Sequence, residues 1–246
     1  MTASTVKSAR RVIEIMEYFD RVRRPLSLKE ICDHLSYPVS SGATLLKSLV
    51  LLGYLEYDRR SRTYLPTMRI AVLGSWVPAT LFGEIDMLPM MENLRNRTGE
   101  TVILGTQSDL FAQYVHVVHS TEPLHYTPSP GIVRPLARSG VGQLLLSALP
   151  DADIDLLVRR INIADDQPAN RIVLAEVMRE VSAIRRQGYA YTRNLVTGGV
   201  GLVAILLPVA PFGRRFAIGL GGPVARLDAR LEDHVKTLRA AAQTLA

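Results

Sequence analysis

The sequence predicts an α+β chain in two parts: a small basic head of short helices closed by a hairpin, and a larger part in which strands and helices alternate. Three observations carry that reading. Of a net charge of +6, residues 1–81 hold 12 Lys/Arg against 7 Asp/Glu, whereas residues 82–246 hold 17 against 16. The first 66 residues break into three apolar stripes of helical spacing followed by two aromatic-rich runs. From Phe82 onward, β-favouring and helical segments follow one another to the end of the chain.

With 246 residues, 48% hydrophobic and 21% charged, the composition is globular, with apolar material for one large core or two modest ones; disorder and collagen-like repeats are excluded. A single cysteine, Cys32, excludes an intrachain disulfide. The opening MTASTVKSARR runs into charged residues without the apolar stretch of a secretion signal, so a cytoplasmic location is expected. The most apolar segment, Leu195 to Phe212, is broken by Gly198, Gly199, Gly201, Pro208 and Pro211; it reads as a buried strand, and no contact with a membrane is expected.

In the head, Val12, Ile13, Ile15, Met16 and Phe19 recur at helical spacing between Val6 and Phe19, and the polar run Arg21 to Pro25 ends this first helix. Ser27 followed by Glu30 is a capping-box pattern, and Leu28, Ile31 and Leu35 continue it as a second helix to Leu35. After Ser36-Tyr37-Pro38, Ser40 is expected to cap a third helix that buries Leu45, Leu46, Leu49 and Leu52 and stops at Gly53, which tolerates a left-handed conformation. Tyr54 to Tyr57 and Thr63 to Leu65 then read as paired strands, with Asp58-Arg59-Arg60-Ser61-Arg62 as the tip. Three helices and a basic hairpin form the order of a winged helix-turn-helix, whose third helix enters the major groove of duplex DNA while the wing follows the phosphates.

Residues 67–81 are apolar enough for a linker helix, weakened by Gly74 and Pro78, with more apolar surface than one small domain can cover, so a second copy of the chain is expected over it. Beyond it, strands are expected at Thr101–Thr106, Phe111–His119, Gly201–Pro208 and Arg215–Leu220. Helices are expected near Glu84–Arg97, Gly140–Leu149, Asp151–Arg160, Ile172–Gln187 and Leu227–Leu245. A sensor-like α/β domain with a mostly antiparallel sheet fits this order, because the glycine-rich loops of a nucleotide-binding sheet are missing. The boundaries are therefore 1–66, 67–81 and 82–246.

In this order the segments resemble the IclR family of bacterial transcription regulators. The similarity lies in Ser8 to Ile15, Leu26-Ser27-Leu28, Pro38 to Ser41, Leu45-Leu46 and Gly53-Tyr54-Leu55 of the head. It continues in Gly99-Glu100-Thr101-Val102, Pro135-Leu136, Ser139 to Gly142, Ile184 to Tyr189, Gly199-Val200, Val203-Ala204 and Gly222-Pro223. The resemblance implies a winged head, a linker helix, a GAF-like effector-binding domain, assembly as a homodimer or homotetramer, and double-stranded operator DNA and a small-molecule effector as partners, without a cofactor. Val39 and Thr44 stand where many members carry basic residues, so base readout is expected to differ.

Ser40, Ser41, Thr44 and Lys47 share the exposed start of the third helix, where hydroxyls reach base edges or phosphates and Lys47 neutralises a phosphate. Capping and solubility are the plainer roles for these side chains. Arg59, Arg60 and Arg62 at the wing tip, with Lys7, Arg10 and Arg11 on the first helix, are expected to make sequence-independent phosphate contacts.

Catalytic and metal chemistry find no support. Asp151, Asp153 and Asp155 imitate a calcium loop, but Leu156 and Asn162 stand at the positions that need Gly and Glu, so an acidic helix start is the reading. His116 and His119 face opposite sides of one strand and cannot share a metal. Gly140-Val141-Gly142 lacks the remainder of a dinucleotide fingerprint, and Cys32 has only His34 near it in sequence.

The resemblance places the effector between the sheet and the helix that follows Ser139. Exposed N–H groups at such a helix start suit a carboxylate. Positions matching ligand-lining sites are Gly140, Val141, Thr192, Val200, Leu202, Gly219 and Gly221; where several members place a cysteine and serines, this chain has Val200, Leu202, Gly219 and Gly221. A wide, apolar chamber for an aromatic or otherwise bulky effector is therefore expected, with Arg138 available to pair with an acidic group and Tyr126 closing one wall. Two other classes remain open at this point: a small-molecule enzyme with an accessory DNA-binding head, and an interaction module whose basic head takes RNA or protein.

Overall fold

The computed structural model describes residues 6–77, 80, 87–165, 167–208 and 213–245. The chain divides into two units, Met1–Thr80 and Leu81–Ala246.

In the first unit, α1 (Lys7–Val22) buries Ile15, Tyr18 and Phe19 and ends at Arg23, whose left-handed backbone returns an N–H to the Phe19 carbonyl. A two-residue strand, β1 (Leu26–Ser27), leads into α2 (Leu28–Leu35). The capping box forms as expected: the Ser27 hydroxyl accepts the Glu30 N–H, and the Glu30 carboxylate accepts the Ser27 N–H at 2.8 Å. Helix α3 (Val39–Leu51) follows, then the hairpin β2 (Leu55–Asp58) and β3 (Thr63–Pro66). All three strands form one antiparallel sheet in the order β1-β3-β2. Ile15, Phe19, Leu26, Ile31, Leu46, Leu49 and Leu55 make its core.

Two expectations for this unit are corrected, and one strand is added. Helix α3 starts directly after Pro38 without a side-chain cap, so Ser40 lies inside its first turn. Leu52 lies beyond the last helical turn and is exposed, so Gly42, Leu46 and Leu49 form the buried face. Strand β1 went unforeseen because two residues carry no alternation to read; it is recruited by β3, with Leu26 opposite Tyr64. Thr67 caps α4 (Met68–Gly74), whose Met68, Val72 and Leu73 are exposed, as is Trp76 beyond it. Pro78 and Leu81 of the expected linker lie outside the described residues.

The second unit runs α5 (Met87–Thr98), β4 (Thr101–Ser108), β5 (Phe111–Val118), β6 (Val133–Pro135), α6 (Gly140–Ser147), α7 (Asp151–Ala164), α8 (Leu174–Gln187), β7 (Ala190–Arg193), β8 (Val200–Leu206), β9 (Phe216–Pro223), α9 (Val224–Ala229) and α10 (Leu231–Gln243). Its sheet has the order β6-β5-β4-β9-β8-β7, with each pairing antiparallel. Strand alternation sends Ile103, Ala112, Tyr114, Leu202, Ala204 and Ala217 to the face that carries Leu144 and Leu145 of α6 and Val181 of α8. The other face sends Val102, Leu104, Val203, Ile205 and Ile218 against Met91 and Leu94 of α5 and Leu238 of α10. The result is a sheet between two helical layers.

Edge strands β6 and β7 were missed, each only three or four residues long. The final helix is two, α9 and α10, divided at Arg230. The apolar segment from Leu195 becomes strand only at Val200: Leu195 and Val196 are exposed, and residues 209–212 lie outside the described set. No helix among the described residues is long and apolar enough to cross a membrane.

Candidate functional site

The start of α3 and the start of α1 converge. A surface groove of about 570 Å³ is lined by Lys7, Ser8 and Arg11 from α1 and by Ser40, Ser41, Thr44 and Leu45 from α3, together with Val6. Five residues expected to contact DNA, Lys7, Arg11, Ser40, Ser41 and Thr44, thus share one depression. Lys47 lies one turn further along α3, exposed and outside the groove.

Local bonds refine these roles. Thr44 donates its hydroxyl back to the Ser40 carbonyl at 3.0 Å, leaving the oxygen as an acceptor toward solvent. The Arg11 guanidinium lies 4.6 Å from the centre of the Tyr37 ring, a cation–π contact that fixes its direction. Tyr37 is itself bonded to Glu14, and burial pushes its phenol up to about 12. Arg10 is paired with Glu14 at 3.4 Å and remains exposed.

At the wing, Asp58 shapes the tip: its carboxylate accepts the Arg60 N–H at 2.8 Å and the Ser61 hydroxyl at 2.7 Å, while Arg62 takes a left-handed backbone. These hydrogen bonds, the Ser61 hydroxyl first, hold the Asp58 carboxyl below its ordinary range. Arg59, Arg60 and Arg62 project from that turn, exposed and without an ion pair among the described residues. Unpaired guanidiniums on a fixed loop are placed to meet phosphates.

In the second unit, Ser139 caps α6 by accepting the Gly142 N–H at 3.2 Å. Gly142 is required there, because a Cβ would stand 2.0 Å from the Leu136 carbonyl oxygen. A Cβ on Gly140 would meet Leu202 at 2.7 Å and the Thr192 hydroxyl at 2.9 Å, so the helix start lies tight against β7 and β8. Between them is a cavity bounded by Tyr114, Tyr126, Gly140, Thr192, Val200 and Leu202, among others. Five predicted effector residues, Tyr126, Gly140, Thr192, Val200 and Leu202, are therefore brought together.

The other four are not on the cavity wall. Val141 packs against Gly105 of β4, where it fills the space of a missing side chain. Gly219 approaches Ala204, and Gly221 is covered by the Tyr126 ring. Arg138 is exposed, donates to the Arg171 carbonyl at 3.1 Å, and lines a separate surface groove of about 410 Å³ with Arg171, Glu176 and Arg193. It ends the 3-10 turn that precedes the extended residue Ser139 and lies outside the chamber lining.

The expected wide chamber is also corrected. Its volume is about 20 Å³, room for about one water molecule. The space released by Gly221 is taken by Tyr126, whose Cδ1 lies 2.8 Å from where a Cβ would be.

One charge beside this site carries no sequence signal. Arg134 of β6 donates from Nη2 to the Tyr126 hydroxyl at 3.0 Å, and its Nε is buried without a hydrogen-bond partner among the described residues. The Tyr114 hydroxyl lies against both side chains, and burial pushes its phenol well above the ordinary range. Arg134 sits in a three-residue edge strand opposite Ala112 that carries no sequence pattern, so nothing local singled it out.

Asp151 and Asp153 occupy the first turn of α7 and Asp155 pairs with Arg159, as an acidic helix start requires. Among the described residues no group of three or more His, Cys, Asp or Glu side chains could hold a metal.

Two family models match. Residues 8–59 match the IclR helix-turn-helix domain, and residues 84–246 match the bacterial transcriptional regulator IclR C-terminal domain. The transcriptional regulator XynR of Escherichia coli strain K12 is 23% identical over 81% of this chain and 79% of its own length. The Thermotoga maritima IclR structure superposes with a TM-score of 0.72 at 18% identity, covering 97% of this chain and 96% of that one. An IclR homolog from Microbacterium hydrocarbonoxydans, solved with 4-hydroxybenzoate, gives 0.70 at 18% identity, covering 97% of each chain. Both matched domains and the curated relatives are those of regulators, which sets the enzyme reading aside. The chain belongs to the IclR family and is a DNA-binding transcriptional regulator.

Proposed function

We propose that this regulator binds a two-fold symmetric operator as a homodimer or homotetramer in the cytoplasm, and that a small aromatic acid held in residues 82–246 changes that binding. On this reading residues 1–66 form the reading head and 67–81 the linker. Side chains of α3 read the groove: Ser40, Ser41 and Thr44 reach bases or adjacent phosphates, and Lys47 neutralises a phosphate. Lys7, Arg10 and Arg11 on one flank, and Arg59, Arg60 and Arg62 on the other, grip the backbone. The groove that joins the starts of α1 and α3 supports this assignment, because it sets the α3 hydroxyls beside Lys7 and Arg11 of α1.

The observation that carries the effector class is the Arg134 guanidinium. It lies behind the chamber wall, bonded to the Tyr126 hydroxyl and beside the Tyr114 phenol, with a buried unpartnered Nε and no carboxylate within ion-pair distance among the described residues. A carboxylate satisfies such a group; the aromatic walls of Tyr114 and Tyr126 and the apolar Val200 and Leu202 suit a ring. The relative solved with 4-hydroxybenzoate is in keeping with that class. Effector binding would act by favouring one spacing of two heads over another.

Nuclease footprinting on the DNA flanking the gene, with and without a panel of aryl carboxylates, tests the reading. A protected stretch with two-fold symmetry whose occupancy changes with an aryl carboxylate supports it. Protection indifferent to the whole panel rejects the effector class, and absence of any protected stretch at physiological salt rejects the operator.

A further inference from the structure

We infer that Tyr126 is a built-in occupant of the effector chamber: its ring and hydroxyl sit where the ring and carboxylate of an aryl acid would sit, and it must swing out for that acid to enter. This rests on the effector-domain reading above and adds how the chamber is kept shut.

The room is made at Gly221 of β9, opposite Leu202 of β8, where a side chain would otherwise point to the α6 side of the sheet. At Gly221 the Tyr126 ring takes that room, beside the Ile103 side chain. The phenol tip rests on Arg134. A phenol oxygen compensates a guanidinium poorly: it takes one hydrogen bond, carries no charge, and leaves Nε without a partner. A carboxylate in the same seat would accept two parallel hydrogen bonds and balance the charge. The seat therefore fits an external acid better than it fits its resident.

The resident is also free to leave. The backbone at Tyr126 is fixed by the Thr101 hydroxyl, which donates to the Tyr126 carbonyl at 2.6 Å. Its side chain is half-buried, and rotation about the side-chain bonds moves the ring outward while the backbone stays tied. A chamber closed most of the time lowers the apparent affinity for a ligand by the fraction that is open.

Calorimetric titration of benzoate and of benzamide into the full-length wild type, Tyr126→Ala, Tyr126→Phe and the double variant Tyr126→Ala/Arg134→Met tests this. Tyr126→Ala is expected to bind benzoate at least about tenfold tighter than wild type, because the closed population disappears. It should prefer benzoate to benzamide and lose both gain and preference once Arg134 is replaced. Tyr126→Phe keeps the ring and the packing; it should gain less, through the freed guanidinium alone, and it carries the test if Tyr126→Ala does not fold. Equal benzoate affinity in wild type and variants, no benzoate binding in any of them, or an equal gain for benzamide overturns the inference. Duplex binding on the same preparations keeps the two readings apart: intact DNA binding without a benzoate gain discards only the plug, and a wild type that binds no specific duplex discards the operator reading.

Discussion

Gly42 of α3 lies so close to Cys32 of α2 that a Cβ on Gly42 would stand 2.3 Å from the cysteine sulfur. Both residues are buried, and this contact sets how near the proposed reading helix packs to its support. Cys32 is therefore a packing residue whose small sulfur fills the interface. Gly42→Ala is expected to cost about 1–3 kcal/mol by overpacking. Cys32→Ala combined with it should recover most of that loss. Thermal unfolding of the two single variants and the double variant measures the coupling, and additive losses would contradict the contact.

The capping box of α2 makes a pH-dependent prediction. The Ser27 backbone N–H, then its hydroxyl and Arg24, hold the Glu30 carboxyl down at about 2, below its ordinary 4.5. A value depressed in the folded state contributes stability above the unfolded value and loses it as pH falls toward the folded one. Denaturant unfolding of wild type and Glu30→Gln should therefore differ by a constant amount above about pH 5.5, with the gap closing toward about pH 2. A gap that does not vary with pH contradicts the assignment.

In the second unit, the fully buried Glu100 carboxylate is bound two-pronged by Arg226, with Nη2 at 2.7 Å from Oε2. Removing the cation strands a buried charge, so Arg226→Met should destabilise the unit by about 3–5 kcal/mol. Adding Glu100→Gln should restore part of it. Urea unfolding that finds Arg226→Met as stable as wild type would refute the argument.

Wing and flank arginines should act without regard to sequence. Arg59→Ala, Arg60→Ala and Arg62→Ala are each expected to lower affinity for specific and random duplexes alike. Each should reduce the slope of log affinity against log salt by about 1. Fluorescence anisotropy over a salt series measures this, and an unchanged slope removes that residue from the phosphate contacts.

What the sequence made legible, and what it hid, follows from the range of each interaction. Ser27 and Glu30 are three residues apart, so their pattern forecast the cap and the start of α2. The β-favouring runs Thr101–Thr106 and Phe111–His119 likewise located the centre of the large sheet, where β4 is buried on both faces and reads as a continuous apolar stretch. Short edge strands such as β1 and β6 are held by their neighbours rather than by their own residues, and no periodicity announced them. Glu100 and Arg226 meet across 126 positions, a pairing no local pattern encodes. Beside the chamber, the glycine at 221 marks a missing side chain, but not that Tyr126 fills the gap or that Arg134, eight residues further on, holds its hydroxyl.

The most direct measurement selects binding sites from a random duplex library at physiological salt, using the wild-type chain and variants carrying Ser41→Ala, Thr44→Ala or Lys47→Ala. Wild type should enrich a motif with two-fold symmetry. Ser41→Ala or Thr44→Ala should relax preference at particular base positions, while Lys47→Ala weakens all sites evenly. Enrichment of no motif, or a motif and affinities indifferent to all three side chains, would contradict the claim that α3 reads the operator.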